Sequence, residues 1–184
     1  MKTFREKLHN EIIVFDGGMG TYLYEKGIYI NRCFDELNIT TPELIESIHS
    51  EYISAGADII ETNTFGANFY KLSPHGLDDK TYEINKRGAE IACTIAKNKA
   101  LVAGSVGPLG IQIEPLGKVS YEEAKEAFKE QIRGLIDGGV DLLIFETFGL
   151  TAKLVQAIKA AKELDSDIPI IAQVTINDDI NLLS

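Results

Sequence analysis

Acidic side chains stand where apolar runs of this sequence end. Asp16 closes Glu11-Ile-Ile-Val-Phe-Asp16, Glu61 stands near the end of Ala57-Asp-Ile-Ile-Glu-Thr62, and Glu146 closes Val140-Asp-Leu-Leu-Ile-Phe-Glu146. Small or hydroxyl residues lie beside each: Gly17, Gly18 and Gly20 after the first, Thr62, Asn63 and Thr64 around the second, and Thr147 after the third. Carboxylates so placed can hold an ammonium group, and glycine-rich turns offer backbone N–H groups to a carboxylate. The combination suits an amino acid or a similar zwitterion. Plainer roles compete. The glycines would serve equally in a tight turn, and acidic residues at strand ends are often solvated or cap helices. A further stretch, Gly104-Ser-Val-Gly-Pro-Leu-Gly110, could cradle a phosphate, but no Lys or Arg stands beside it in the sequence.

The other reactive side chains read as structural. His75, in Ser73-Pro-His-Gly76, reads as a turn residue, His49 as part of a solvent-facing helix surface and His9 as part of a mobile terminus. Cys93 falls on an apolar helix face and Cys33 in a polar loop, while Lys125, Lys129 and Lys153 read as helix surface. The two cysteines and three histidines never occur at ligand spacing, so no metal site can be read locally. There is no GxxxxGK[ST] loop, no GxGxxG opening a helix and no GxSxG elbow.

The acidic residues are positioned by an alternation of elements. Five apolar, β-branched runs (the three above, Ala100–Ser105 and Ile168–Ile176) read as strands buried on both faces of a parallel sheet. Between them, Leu44, Ile45, Ile48 and Tyr52 share one helix face, as do Ala89, Ala92, Cys93 and Ala96, then Ala124, Phe128, Ile132 and Leu135, then Leu154, Ala157, Ile158 and Ala161. Thr41-Pro42 reads as an N-cap with Pro at the first helical position, Ser120-x-x-Glu123 as a capping box, and Gly56 and Gly138-Gly139 as helix stops.

The order βαβαβαβαβ is that of an α/β fold. Strand ends near residues 16, 62, 105, 146 and 176 give units of roughly 30–46 residues, and eight such units would need around 300, within the range of a (β/α)₈ barrel. The 184 residues supply about five. They make either a complete five-stranded sheet or a (β/α)₈ TIM-barrel type fold truncated to about five βα units. An internal echo favours the barrel: Ala55-Gly-Ala-Asp-Ile-Ile-Glu-Thr-Asn-Thr-Phe-Gly66 and Gly138-Gly-Val-Asp-Leu-Leu-Ile-Phe-Glu-Thr-Phe-Gly149 both run from a helix-ending glycine through a strand to Glu-Thr and Phe-Gly. In a barrel the C-terminal strand ends converge on one face, where active sites lie.

Composition bounds the function class. Eighteen basic against 28 acidic side chains leave a net charge of −10, unsuited to nucleic acid or anionic membrane. No apolar run approaches the ~20 residues of a spanning helix, and the N-terminus lacks the pattern of a signal peptide. Two distant cysteines with no CxxC suit a reducing cytoplasm.

The motifs closely resemble the homocysteine S-methyltransferase family, which includes the N-terminal module of cobalamin-dependent methionine synthases and the betaine–homocysteine methyltransferases. The matching segments are Asp16-Gly-Gly-Met-Gly-Thr21, Glu61-Thr-Asn-Thr-Phe-Gly-Ala67, Ala103-Gly-Ser-Val-Gly-Pro-Leu-Gly110 and Asp141-Leu-Leu-Ile-Phe-Glu-Thr-Phe148, with Lys71-Leu-Ser-Pro-His-Gly-Leu77 and Pro169-Ile-Ile-Ala-Gln-Val-Thr-Ile176 in support. The Asn-Thr-Phe-Gly-Ala and Gly-Pro-Leu-Gly wording is most similar to the methionine synthase branch. The resemblance implies a (β/α)₈ barrel that holds homocysteine on zinc and methylates its sulfur. It implies that Asp16 and Glu146 hold the amino group, that backbone around Gly17 and the Thr62–Asn63–Thr64 turn seats the amino-acid end, and that Phe65 walls the pocket. The family's zinc ligands are three cysteines in later segments, and neither Cys33 nor Cys93 matches them, so residues 1–184 are expected to be the N-terminal part of the catalytic barrel, without a metal site and inactive alone. The implied partners are homocysteine and a methyl donor, either a small molecule or a methylcobalamin-carrying domain. Two other readings compete. One is a non-catalytic partial barrel that binds an amino acid or self-associates through open strand edges. The other is an aldolase or isomerase barrel, which would need a strand-end base or Schiff-base Lys that is not found.

Overall fold

The computed structural model describes residues 2–29 and 32–176. Four strands, β1 (Ile59–Glu61), β2 (Leu101–Val106), β3 (Leu142–Phe148) and β4 (Ile170–Val174), form one parallel sheet in the order β1-β2-β3-β4. Spatial order equals chain order. A doubly wound sheet reverses direction at a switch point, whereas a barrel adds each strand beside the last. The sheet is therefore an arc of a (β/α)₈-type barrel.

The helices α4 (Pro42–Ala55), α6 (Thr81–Ala96), α7 (Tyr121–Asp137) and α8 (Thr151–Leu164) are the connecting helices that the periodicity predicts. Ser120 and Glu123 form the expected capping box. Thr41 precedes α4 but makes no side-chain cap bond, leaving Pro42 as the start signal. Shorter helices α1 (Phe4–Asn10), α2 (Met19–Glu25), α3 (Leu37–Thr40) and α5 (Phe69–Leu72) occupy segments without a long periodic pattern.

Alternation along the strands sorts side chains into two layers. Ile60, Val102, Leu143 and Phe145 face outward onto α6, α7 and α8. Ile59, Leu101, Ala103, Leu142 and Ile144 face inward and pack with Phe4 of α1. Counting on by two from this inward set reaches Glu61, Ser105 and Glu146. The inner face is apolar along most of its length and polar only at the C-terminal ends.

The internal echo is structural. Gly56 (φ 106°) and Gly139 (φ 94°) both adopt the left-handed conformation. Asp58 then accepts the Val14 N–H at 3.1 Å, and Asp141 accepts the Val102 N–H at 2.8 Å. Each aspartate thus tethers the chain entering its own strand to the neighbouring one.

Two strand expectations change. Glu11–Asp16 is not a full strand: it forms a single bridge between Phe15 and Ile59. Ile13 and Phe15 pack inward, but Ile12 is 92% and Val14 52% exposed, so one face of this run meets no helix. The last run forms β4, yet Val174 and Ile176 are 45% and 55% exposed. It is an uncovered edge rather than a strand buried on both faces.

Candidate functional site

Asp16, Glu61 and Glu146 meet at the C-terminal ends of the inner face. The Asp16 carboxylate accepts the Glu61 N–H at 2.9 Å. The Glu146 carboxylate stands close enough to that of Glu61 to raise it, and Ser105 Oγ donates to Glu146 Oε1 at 2.6 Å. The three line one cavity of about 770 Å³, with Gly17, the Thr62–Phe65 turn, Ser105, Asp35 and Lys71 among its walls. Burial and the neighbouring carboxylates push Glu61 up to about 8. Burial pushes Asp16 up to about 7 against two backbone hydrogen bonds.

The turn after β1 is held by a buried polar network. Thr62 Oγ1 and Thr64 Oγ1 lie 2.6 Å apart. Ser105 N–H donates to Thr62 Oγ1 at 2.9 Å, and Thr64 Oγ1 donates to the Ser105 carbonyl at 2.8 Å. Asn63 Nδ2 donates to the Phe34 carbonyl at 2.8 Å, while Asn38 Nδ2 reaches the Asn63 carbonyl and Gln131 Nε2 the Thr64 carbonyl, each at 2.8 Å. The side chains of Thr62, Asn63 and Thr64 are thereby committed to the protein. What they hold toward the cavity is the turn itself. Gly17 allows Tyr52 to close on the chain after Asp16, for a Cβ there would lie 3.0 Å from Tyr52 Oη. Gly18 caps α2 by position, so these glycines lead into a helix rather than a tight turn.

Phe65 does wall the cavity, and it changes the reading of the second glycine stretch. A Cβ on Gly107 would lie 2.5 Å from the Phe65 ring, and Gly107 N–H donates to the Phe65 carbonyl at 3.0 Å. Gly107 makes room for an aromatic ring and spends its N–H on backbone, so the stretch is not an open phosphate cradle. Nor is it without a cation nearby. Lys71 of α5 lies against Gly110, with its ammonium 4.4 Å from the Phe65 ring centre. Lys71 lies on a different element, 36 positions before Gly107, which hides it from a local motif search.

Two further expectations are corrected. His49 is fully buried, not solvent-facing; neither ring nitrogen has a partner among the described residues, and burial pulls it down to about 4. Cys33 lies in the loop before α3, as expected, but is buried there beside the cavity, its thiol donating to Asp35 at 3.7 Å. Cys93 is only partly buried. Glu61 and Ser105 are the site residues that strand-end reasoning underweighted, and their parity with Ile59 and Ala103 is the signal that finds them.

A model of the homocysteine S-methyltransferase family matches residues 13–184. The chain belongs to the homocysteine S-methyltransferase family. It is similar to methionine synthase of Mycobacterium leprae (strain TN), at 34% identity over 187 residues, covering 93% of this chain and 15% of that protein. Methionine synthase of Mycobacterium tuberculosis (strain ATCC 25618 / H37Rv) is 33% identical over 185 residues, with 92% and 15% covered. The chain thus spans about 15% of the length of these curated relatives. In fold it matches the homocysteine methyltransferase MmuM from Escherichia coli. The oxidized form gives a TM-score of 0.84 at 24% identity, covering 99% of this chain and 68% of that one. The metallated form gives 0.82 at 24%, covering 97% and 68%.

Zinc chemistry in this family, as the resemblance implies it, needs a cluster of thiolate donors. Among the described residues no three His, Cys, Asp or Glu side chains gather as a metal ion would require. Burial holds Cys33 and Cys93 up to about 11, as protonated thiols. The described residues do not fit the metal. No helix among the described residues is long and apolar enough to cross a membrane.

Proposed function

We propose that this chain supplies the amino-acid-binding part of a homocysteine S-methyltransferase of methionine synthase type, which transfers a methyl group to the homocysteine sulfur and yields methionine. The observation that carries the reading is the meeting of Asp16, Glu61 and Glu146 in one cavity at the strand ends of a family member. Three carboxylates in a half-buried pocket lose much of their hydration and repel one another. A ligand's ammonium group relieves both costs, and a neutral or anionic ligand relieves neither.

The roles follow from position. Asp16 and Glu146 accept hydrogen bonds from the ammonium group. Ser105 keeps Glu146 oriented, the braced 62–64 turn and the backbone at Gly17 seat the amino-acid end, and Phe65 limits access of water. The methyl donor, a small molecule or methylcobalamin on a further domain, approaches at the open side of the cavity. Zinc, which would activate the thiol in the family, is not held by the described residues, and the chain alone is expected to bind homocysteine without turning it over. Calorimetric titration of the reduced chain with L-homocysteine tests this. Saturable binding, lost in E146Q, together with no methionine formed when zinc and donor are added, is the expected result. A folded chain that does not bind homocysteine overturns the reading.

A further inference from the structure

Glu61 is the carboxylate that the family resemblance leaves without a role. Carboxylates crowded into one half-buried cavity favour a proton among them. Asp16, Glu61 and Glu146 are crowded in this way, and the surrounding donors decide where the proton resides. Glu146 already has a donor in Ser105 Oγ at 2.6 Å, and Asp16 has one in the Glu61 N–H at 2.9 Å. The Glu61 carboxyl is given no such donor among the described residues, and its own backbone N–H is spent on Asp16. The proton therefore resides on Glu61.

Resting on the function proposed above, we infer that Glu61 carries a proton in the ligand-free cavity and releases it to solvent when an ammonium group enters between the carboxylates. The step balances: a neutral Glu61 carboxyl and a cationic ligand become a carboxylate–ammonium contact and one free proton. Glu61 then serves as the third carboxylate of the ammonium site, present as a charge only when a cation is there to meet it. An apolar or anionic intruder meets a neutral acid instead, so the same residue contributes to selectivity.

The groups facing Glu61 agree with this. Asp16, from the chain after the Phe15 bridge, and Glu146, from β3, are both acidic and both raise it. Ser105 of β2 is neutral. Across the cavity stand Lys71, Asp35, Arg32 and His75. Lys71 is near enough to Asp35 to feel its charge, and none of these four is among the groups that shift Glu61.

Calorimetry of the full chain with L-homocysteine, run at neutral pH in phosphate and in Tris, tests the inference. The two buffers differ in ionisation enthalpy, so the difference in heat counts protons. The ligand's own groups contribute equally to wild type and E61Q, and the comparison isolates Glu61. Wild type is expected to release about one proton more per ligand than E61Q. Equal release from the two overturns the inference and leaves the functional reading intact. No binding by wild type overturns both. Infrared difference spectra provide a readout that does not need E61Q to bind. Homocysteine should diminish a protonated-carboxyl carbonyl band in wild type, and that band should be weaker in ligand-free E61Q than in ligand-free wild type, since Asp16 and Asp35 contribute to both. A band undiminished by ligand, or equally strong in E61Q, contradicts the inference.

Discussion

Ser105 Oγ donates to Glu146 Oε1 at 2.6 Å, joining β2 and β3 at their C-terminal ends. Ser105 is 2% exposed, so this hydrogen bond is shielded from water. Removing it frees Glu146 to rotate and takes away its hydrogen-bond donor. Hydrogen bonds to charged groups contribute about 1.5–3 kcal/mol. S105A should therefore bind homocysteine on the order of tenfold to a hundredfold more weakly. Calorimetry on S105A, beside a thermal melt to show that the fold is retained, checks this.

Glu61 and Asp16 should take stability from the ligand-free chain as pH rises from about 4.5 to about 8. Glu61 is raised from 4.5 to about 8 and Asp16 from 3.8 to about 7, so in that window the folded state binds more protons than the unfolded state. E61Q removes the larger share. It should be more stable than wild type by on the order of 1–3 kcal/mol near pH 8 and nearly equal to it near pH 4.5. Urea melts at the two pH values decide.

His49 acts in the opposite direction. Its folded value is depressed from 6.5 to about 4, so the unfolded state binds more protons in between and stability is lost as pH falls through that range. The loss amounts to on the order of 3 kcal/mol by pH 4. H49L keeps an apolar group of similar volume among Ile45, Ile48 and their neighbours and discards two unpaired nitrogens. It should unfold with a flatter acid limb and be no less stable at pH 7.

Gly88 lies inside α6, where alanine ordinarily gains about 1 kcal/mol over glycine. Here a Cβ would lie 2.6 Å from Asn38 Nδ2 and 2.8 Å from Thr64 Cγ2, both part of the network that braces the 62–64 turn. G88A should reverse the usual sign and destabilise by on the order of 2 kcal/mol. It should also weaken homocysteine binding, because the turn must move. A stabilised G88A with unchanged affinity would show that the turn is not braced from α6.

Much of this architecture can be read from residue patterns, and the exceptions have physical causes. The four long helices follow from periodicity, and the Gly56–Asp58 and Gly139–Asp141 echo marks two equivalent strand entries. The Glu11–Asp16 run failed as a strand because an apolar run does not say which of its faces will be covered, and Ile12 and Val14 are not. His49 was misplaced because an imidazole beside Ile48 looks polar in sequence, while its helix turns it toward the interior. Asp16 and Glu146 are visible as strand-end acids. Lys71 and Asp35 are not, since each reaches the cavity from an element whose approach only the fold determines.

The central claim is that the three-carboxylate cavity recognises an amino acid by its ammonium group. Titrating the chain in parallel with L-homocysteine and with 4-mercaptobutanoic acid, which keeps the thiol and carboxylate but lacks the amine, tests it most directly. The account predicts saturable binding of homocysteine and affinity at least about a hundredfold weaker for the amine-free thiol, as expected when a buried charged partner is left unmet. Equal affinity for the two ligands would contradict it.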